Sequence, residues 1–415
     1  MNKDFRIVKN CRICRSTKLY RFLDLGSMPI PNGFRKKEDL HKKQKKYELA
    51  CYFCENCGLV QLTIVVDPEI MFKDYVYIPS TAKVMMNNFS NLVHEAVLEK
   101  NIGEKSTVID IGSNDGSLLT FFKTYDCKVL GIDPAENITK LAELNGVPTE
   151  TVLFDSTSAR KIRRKYGQAD VITATNVIAH IDNLDEMFKG VDELLKKDGI
   201  FITEFPYLLD LVDRLEFDTI YHEHLSYFSL GAWKHMVEKS GFEICGLRRL
   251  QIHGGSIRLT HRRKSSKKNL AKKTVEYFLN VEKQKKLDKK ETYDMFSEKV
   301  LNLKNELTGL INSLKKDGNK IVGYGAAAKG NVLTNFFNIG KDKLDFIVDS
   351  TPYKQGLFTP GMDIPVYAEN RLQKDVPDYL LILAWNFANE IMEKQEAFRS
   401  KGGRFIIPLP EVKII

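Results

Sequence analysis

No apolar run in this 415-residue chain approaches the roughly 20 residues that span a bilayer. The opening Met-Asn-Lys-Asp-Phe-Arg has no apolar stretch of the kind that heads a signal peptide. The expectation is a cytoplasmic protein without a membrane partner. A general surplus of one charge is also missing. The formal net charge is +9, but from Arg262 to Lys290 twelve Lys/Arg stand against three acids, and this one stretch holds the whole excess. A nucleic-acid surface spreads its basic residues over several elements and mixes aromatics among them. A solvated helix or linker is therefore the expected use of the stretch, and no nucleic-acid partner is expected. Cysteine is sparse and uneven, with seven in all and five in the first 57 residues.

What is present is organised in blocks. A chain this long exceeds one ordinary core, so two or three domains are expected. Residues 1–78 are rich in cysteine and turns. Apolar runs at 107–110, 128–132, 170–174, 199–205, 242–248 and 256–260 alternate with helical stretches, which predicts a doubly wound α/β sheet over 79–263. The last two runs leave no room for a crossover helix and predict a hairpin. Residues 83–100 have helical periodicity. From about 267 to 316 the pattern is one long helix, within a linker at 264–317, stopped by Lys316-Asp-Gly-Asn. A second α/β pattern fills 318–415, with runs at 320–324, 344–349, 379–384 and 404–408.

Tyr221-His222-Glu223-His224 concentrates a phenol, two imidazoles and a carboxylate just after the predicted strand Gly199–Phe205. Imidazole titrates near neutrality and can take and return a proton within a turnover. Loop histidines bonded to their own backbone are the plainer reading, but a nucleotide-type turn flanks the segment on either side. The first, Asp110-Ile-Gly112-Ser-Asn114-Asp-Gly116, ends a strand and opens a helix. Its spacing departs from the Gly-x-Gly-x-x-Gly of dinucleotide sites and is similar to the S-adenosylmethionine turn of class I methyltransferases. Asp133 closes the next strand, where such folds place an acid on the ribose, and Asn176 ends a later strand. The second turn, Gly323-Tyr-Gly325-Ala-Ala-Ala-Lys329-Gly330, follows a strand, and its lysine is suited to a diphosphate.

Two Cys-x-x-Cys pairs about 40 residues apart suit a tetrahedral zinc site, each pair gripping the ion from one turn. Cys11 and Cys14 form one pair. Of Cys51, Cys54 and Cys57, the last two are favoured because Cys57-Gly58 makes the tight knuckle, leaving Cys51 spare. No pattern points to an open coordination position, so the zinc is expected to be structural.

Taken together, four pieces in order resemble the sugar 3-C-methyltransferase family of deoxysugar biosynthesis over essentially the full length. They are the paired Cys-x-x-Cys opening ending in Gly-Leu-Val-Gln-Leu, Ile-Gly-Ser-Asn-Asp-Gly, and Phe217–Ser229 with His253-Gly-Gly-Ser256. The fourth joins Gly323–Asn331, Pro360–Pro365 and Leu383–Asn386. The resemblance implies a zinc-binding N-terminal domain, a class I S-adenosylmethionine methyltransferase core and a C-terminal Rossmann-like α/β domain that helps hold a nucleotide-sugar. It implies methylation at C3 of a nucleotide-linked 4-keto-6-deoxyhexose (dTDP or GDP) by a monomer or small homo-oligomer. A base removes the C3 proton, and His224 is the expected one. Tyr221, Glu223, Tyr75, His180 and His222 are further catalytic candidates. Tyr77, Ser80, His253, Lys329 and Asn331 are expected on the substrate. The chain departs from the family at Pro79 and Ala82, where serines are usual, and at Asn88, where a histidine is usual. That departure bears on the sugar or its nucleotide more than on the reaction. Sugar O-methylation and a zinc-ribbon RNA-binding methyltransferase are the rival readings.

Overall fold

The alternating runs build the expected sheet. In the computed structural model, which describes residues 4–72, 78–264 and 269–415, seven central strands lie side by side. Their order is Phe242–Leu250, Ser256–Arg263, Leu195–Pro206, Ala169–Thr175, Thr107–Ile111, Lys128–Asp133, Thr149–Thr151. Every neighbouring pair is parallel except the two involving Ser256–Arg263. The expected hairpin is thus Phe242–Leu250 with Ser256–Arg263. Thr149–Thr151 (Thr-Glu-Thr) escapes sequence reading because it is short and polar. The chain reverses its winding direction between Thr107–Ile111 and Ala169–Thr175. At that point the carboxyl ends of the strands leave a crevice in which such sheets take ligands.

Helix Lys83–Lys100 covers one face with Met85, Phe89, Leu92, Val93 and Ala96, a stripe at three- and four-residue spacing. Asn101, at φ 50, ends it in the left-handed conformation. The single long helix expected from about 267 to 316 is two helices, Lys272–Gln284 and Lys290–Lys316. Lysines 283, 285, 286, 289 and 290 would repel at helical spacing across the join. The chain instead turns, with Lys286 at φ 55, and buries Leu287. In this basic stretch Arg262 pairs with Glu243, Arg263 with Asp192 and Lys285 with Asp213. No helix among the described residues is long and apolar enough to cross a membrane.

The cysteine-rich segment forms an antiparallel sheet in the order Ser226–Tyr227, Val60–Leu62, Tyr47–Cys54, Leu19–Met28. Its outer strand comes from the chain just after His224, so segments 1–78 and 79–263 share this sheet. The C-terminal sheet runs Val366–Tyr367, Ile347–Val348, Ile321–Tyr324, Tyr379–Ile382, Arg404–Ile407, Lys413–Ile414, with only the last pair antiparallel. One apolar cluster runs from Phe53 in the first sheet through Phe217 and Leu307 to Leu333 and Leu381 in the last. The Phe217 and Phe337 rings stack with centroids 5.2 Å apart. The segment from Phe217 to Tyr227 therefore sits on a core that the N-terminal and C-terminal sheets border.

Candidate active site

Both turns and the histidine segment open onto one cavity of about 620 Å³, whose wall includes Gly112, Asp133, Asn176, His180, His224 and Lys329. At the first turn Gly112 has φ 70, and a Cβ there would lie 2.5 Å from Val177 Cγ2. Only glycine lets the backbone pass this point and still leave the crevice open. Asp133 Oδ2 accepts the Asn114 N–H at 3.1 Å and Oδ1 accepts the Ala135 N–H at 2.9 Å. Burial raises its pKa. Asp110 is buried and accepts the Thr173 hydroxyl at 2.6 Å. Its pKa is pushed up to about 7, mainly by burial. Gly116, at φ 77, precedes helix Ser117–Lys123. Asn176 Oδ1 and Ser113 Oγ are buried without a hydrogen-bond partner among the described residues. Unspent polar atoms around a glycine cradle at the reversal of the sheet fit S-adenosylmethionine.

The histidine segment is a tight turn, with the His224 N–H donating to the Tyr221 carbonyl at 2.8 Å. His224 Nδ1 lies 2.8 Å from the Thr219 carbonyl oxygen. A carbonyl only accepts, so this contact assigns the proton to Nδ1 and leaves Nε2 with a free lone pair. Burial above all, and then the His180 imidazole, holds His224 well below the usual 6.5. The ring is therefore neutral where imidazoles normally begin to charge. Tyr221 lies against it with centroids 4.0 Å apart, and His180 is 5.1 Å away. His180 is itself brought down to about 4 by burial. Glu223 accepts the Asn32 amide at 2.7 Å. Burial pushes its pKa up to about 7, against the effect of Asn32.

His222 points the other way. It is fully buried, its Nε2 lies 3.3 Å from the Tyr47 carbonyl oxygen, and its ring meets Tyr47 edge-on at 5.9 Å. The turn closed by the His224 N–H on the Tyr221 carbonyl breaks the alternation that would put residues 222 and 224 on one side, so the His222 ring packs on Tyr47 of the N-terminal sheet while the His224 ring lies against Tyr221 and His180.

At the second turn Lys329 donates to the His253 carbonyl at 3.3 Å and lies 4.0 Å from Glu216 and 5.1 Å from the centre of the Trp385 ring. Glu216 is raised to about 7, first by burial. Trp385 Nε1 donates to Asp218 at 2.6 Å. His253 adopts φ 52, and its pKa is lowered to about 4 by burial and then by Lys329. Asn331 is buried in the fold: its amide donates to the Pro31 carbonyl at 2.7 Å, and it does not line the cavity. Ser80 is exposed on the turn Pro79–Thr81. Tyr75 and Tyr77 lie outside the described residues. Of the departures from the family pattern, Pro79 and Ala82 line the cavity. Asn88 lies in the sheet's support, donating to Glu204 at 2.8 Å and accepting from Arg258 at 2.8 Å.

The sulfurs of Cys11, Cys14, Cys54 and Cys57 all lie within 4.8 Å of one another. Cys11 to Cys57 is 3.4 Å and Cys14 to Cys54 is 3.5 Å, near the edge of about 3.8 Å that a tetrahedron with zinc–sulfur bonds of about 2.3 Å has. The two knuckles match. The Arg15 N–H donates to Cys11 and the Gly58 N–H to Cys54, and both donors have positive φ, 63 and 77. Cys51 stands apart, fully buried in the apolar core.

Sequence reading missed Asn32, Thr219, Glu216, Asp218, Arg12 and Asp182. Asn32 lies in a segment noted only as turn-rich, and its partner Glu223 is 191 residues away. The two carboxylates Glu216 and Asp218 were within sight, flanking the quoted Phe217.

Three family models match in tandem: "Putative zinc binding domain" over 11–72, "Methyltransferase domain" over 86–246 and "C-methyltransferase C-terminal domain" over 251–410. The chain is 32% identical over 410 residues to the C-methyltransferase NovU of Streptomyces niveus, spanning 99% of this chain and 97% of that protein. Among solved structures, magnesium protoporphyrin IX methyltransferase of Synechocystis with bound S-adenosylmethionine is 15% identical, with a TM-score of 0.35, over 47% of this chain and 89% of its own. An S-adenosylmethionine-dependent methyltransferase of Clostridium acetobutylicum is 14% identical, with a TM-score of 0.35, over 45% and 95%.

Proposed function

The chain belongs to the C-methyltransferase family, with S-adenosylmethionine as cofactor and a structural zinc in its N-terminal unit, and from this premise we propose that it methylates C3 of a nucleotide-linked 4-keto-6-deoxyhexose. The observation that carries the reading is the His224 imidazole, neutral, with Nδ1 committed to Thr219 and Nε2 free, in the same cavity as the Gly112 turn.

The C–H bond beside a ketone is acidic because its conjugate base is an enolate. His224 Nε2 takes the C3 proton and becomes an imidazolium, whose Nδ1–H bond to the Thr219 carbonyl strengthens with the charge. Tyr221, stacked on His224, supplies a phenol for the charge that develops at O4. Glu223, poised near neutrality and oriented by Asn32, contacts a sugar hydroxyl. His180 is the second acid/base group. The turn from Asp110 through Gly112, Asn114 and Gly116, with Asp133 and Asn176, would hold S-adenosylmethionine, Asp133 at the ribose. When bound, that cofactor supplies an electrophilic methyl group on a sulfonium. Lys329 and the Gly325 turn face the diphosphate of the nucleotide-sugar, with His253 beside them. Burial of the segment keeps water from competing for the carbanion.

A panel of dTDP- and GDP-linked 4-keto-6-deoxy sugars with methyl-labelled cofactor tests this. The expected product carries the label on C3. Label on a sugar oxygen, or none with any member of the panel, overturns the reading.

A further inference from the structure

Between the zinc-ligand candidates Cys11 and Cys14 sits a buried cation, 1% exposed. The Arg12 guanidinium reaches inward. Nε donates to Asp182 at 2.9 Å, and Nη1 donates to the carbonyls of Leu62 at 2.5 Å and Leu225 at 3.2 Å. Its own backbone N–H is fixed by Gln61 Oε1 at 2.9 Å. Asp182 follows His180 by two residues, and Leu225 follows His224 directly. The Leu225 peptide also ties the two histidine segments together, because its N–H donates to the Ala179 carbonyl at 2.7 Å. A buried guanidinium is an expensive way to stabilise a fold. Its planar fork is well suited to holding three acceptors at fixed angles.

We propose that Arg12 is a positioning residue for the reaction, through which the zinc knuckle sets the relative placement of the His180 and His224 imidazoles. Cys11 and Cys14, gathered with Cys54 and Cys57, fix the backbone on either side of Arg12, and its fork transmits that placement to both histidine-bearing turns. In this view the N-terminal unit does more than cover the cavity. A pair that leaves the N-terminal unit elsewhere gives a control: the Tyr20 hydroxyl donates to Asp294 at 2.7 Å, away from both histidine segments in the sequence.

The inference rests on His224 acting as the base, so the test has one arm that needs no turnover. Arg12→Lys keeps the charge and loses the fork. The expected result is one zinc per chain, unchanged S-adenosylmethionine affinity, and shifted imidazole NMR signals for His180 and His224, with exposed His235 unmoved. Turnover number should fall about 100-fold with little change in KM, as for a reacting group displaced by about 1 Å. Tyr20→Phe should match the wild type. Unmoved imidazole signals in a zinc-replete Arg12→Lys protein overturn the proposal. So does a turnover number within about threefold of wild type. Should Arg12→Lys lose zinc or fail to fold, Asp182→Asn carries the same test: shifted signals support the proposal and unmoved ones reject it. Absence of turnover in the wild type would instead count against the keto-sugar reading and leave the NMR arm standing.

Discussion

At the turn after Thr107–Ile111, Asp133 from the neighbouring strand accepts the Asn114 N–H; at the turn after Ile321–Tyr324, Asp349 from the neighbouring strand accepts the Ala326 N–H at 2.7 Å. Each turn has a glycine at positive φ pressed against a side chain, Gly112 on Val177 and Gly325 on Ala384. Their surroundings differ. Among the described residues both keep buried polar atoms without a partner, Ser113 Oγ and Asn176 Oδ1 at the first and Glu216 Oε1 and Asn331 Oδ1 near the second, but only the second holds a cation. At the second, Lys329 is held by Glu216, the His253 carbonyl and the Trp385 ring. Helix Ala328–Phe337 stacks Phe337 on Phe217, one residue from Asp218 and two from the Thr219 carbonyl that orients His224. One local geometry thus appears in two settings: a glycine cradle where the central sheet reverses, and a brace for the histidine segment that presents one cation.

The sharpest way to break this comparison is to add a methyl group to each glycine. Gly112→Ala should lower S-adenosylmethionine affinity by about 30- to 100-fold, from strain of about 2–3 kcal/mol at the cradle. Gly325→Ala carries similar strain but should leave that affinity unchanged and lower the melting temperature instead. Titration calorimetry and thermal unfolding read the two effects, and normal cofactor binding by Gly112→Ala would erase the distinction.

Lys329→Met is the next largest. Loss of a charge-assisted contact to a diphosphate should raise KM for the nucleotide-sugar about tenfold or more, with cofactor affinity untouched. An unchanged KM would make the second turn a brace alone.

Smallest is a pH effect between the turns. The pKa of His224 is depressed, so its neutral, base-competent form persists as pH falls until the pH drops well below 6.5. Glu223, Asp110 and Glu216, each raised to about 7, titrate first, so the effect is read on the ring itself. The His224 imidazole NMR signals should show no titration as the pH falls past 6.5. A midpoint at or above 6.5 would mean that His224 titrates as an ordinary imidazole.

Much of this was legible in the sequence because it is local. Six of the seven strands from 107 to 263, the hairpin at their end, helix Lys83–Lys100 and the four-cysteine cluster follow from periodicity and spacing, and the glycine turns lie at the strand ends where the motifs put them. Contacts that span the chain were not legible. Asn32 on Glu223, Asn331 on Pro31 and Arg12 on Leu225 join residues 191, 300 and 213 positions apart. The helix break near Lys286 also escaped, because the burial of Leu287 decides it and local propensity does not. Opposite roles for His222 and His224 become visible only once Ser226–Tyr227 is seen to join the N-terminal sheet.

The central claim is that His224 makes a keto-sugar nucleophilic at carbon, and exchange of the C3 hydrogen with deuterated water, without any methyl donor, tests it most directly. The account predicts exchange by the wild-type protein and a loss of about 100-fold or more in His224→Ala, the usual contribution of a general base, alongside an equal loss of methyl transfer. Undiminished exchange in His224→Ala, with the fold and zinc intact, would contradict it.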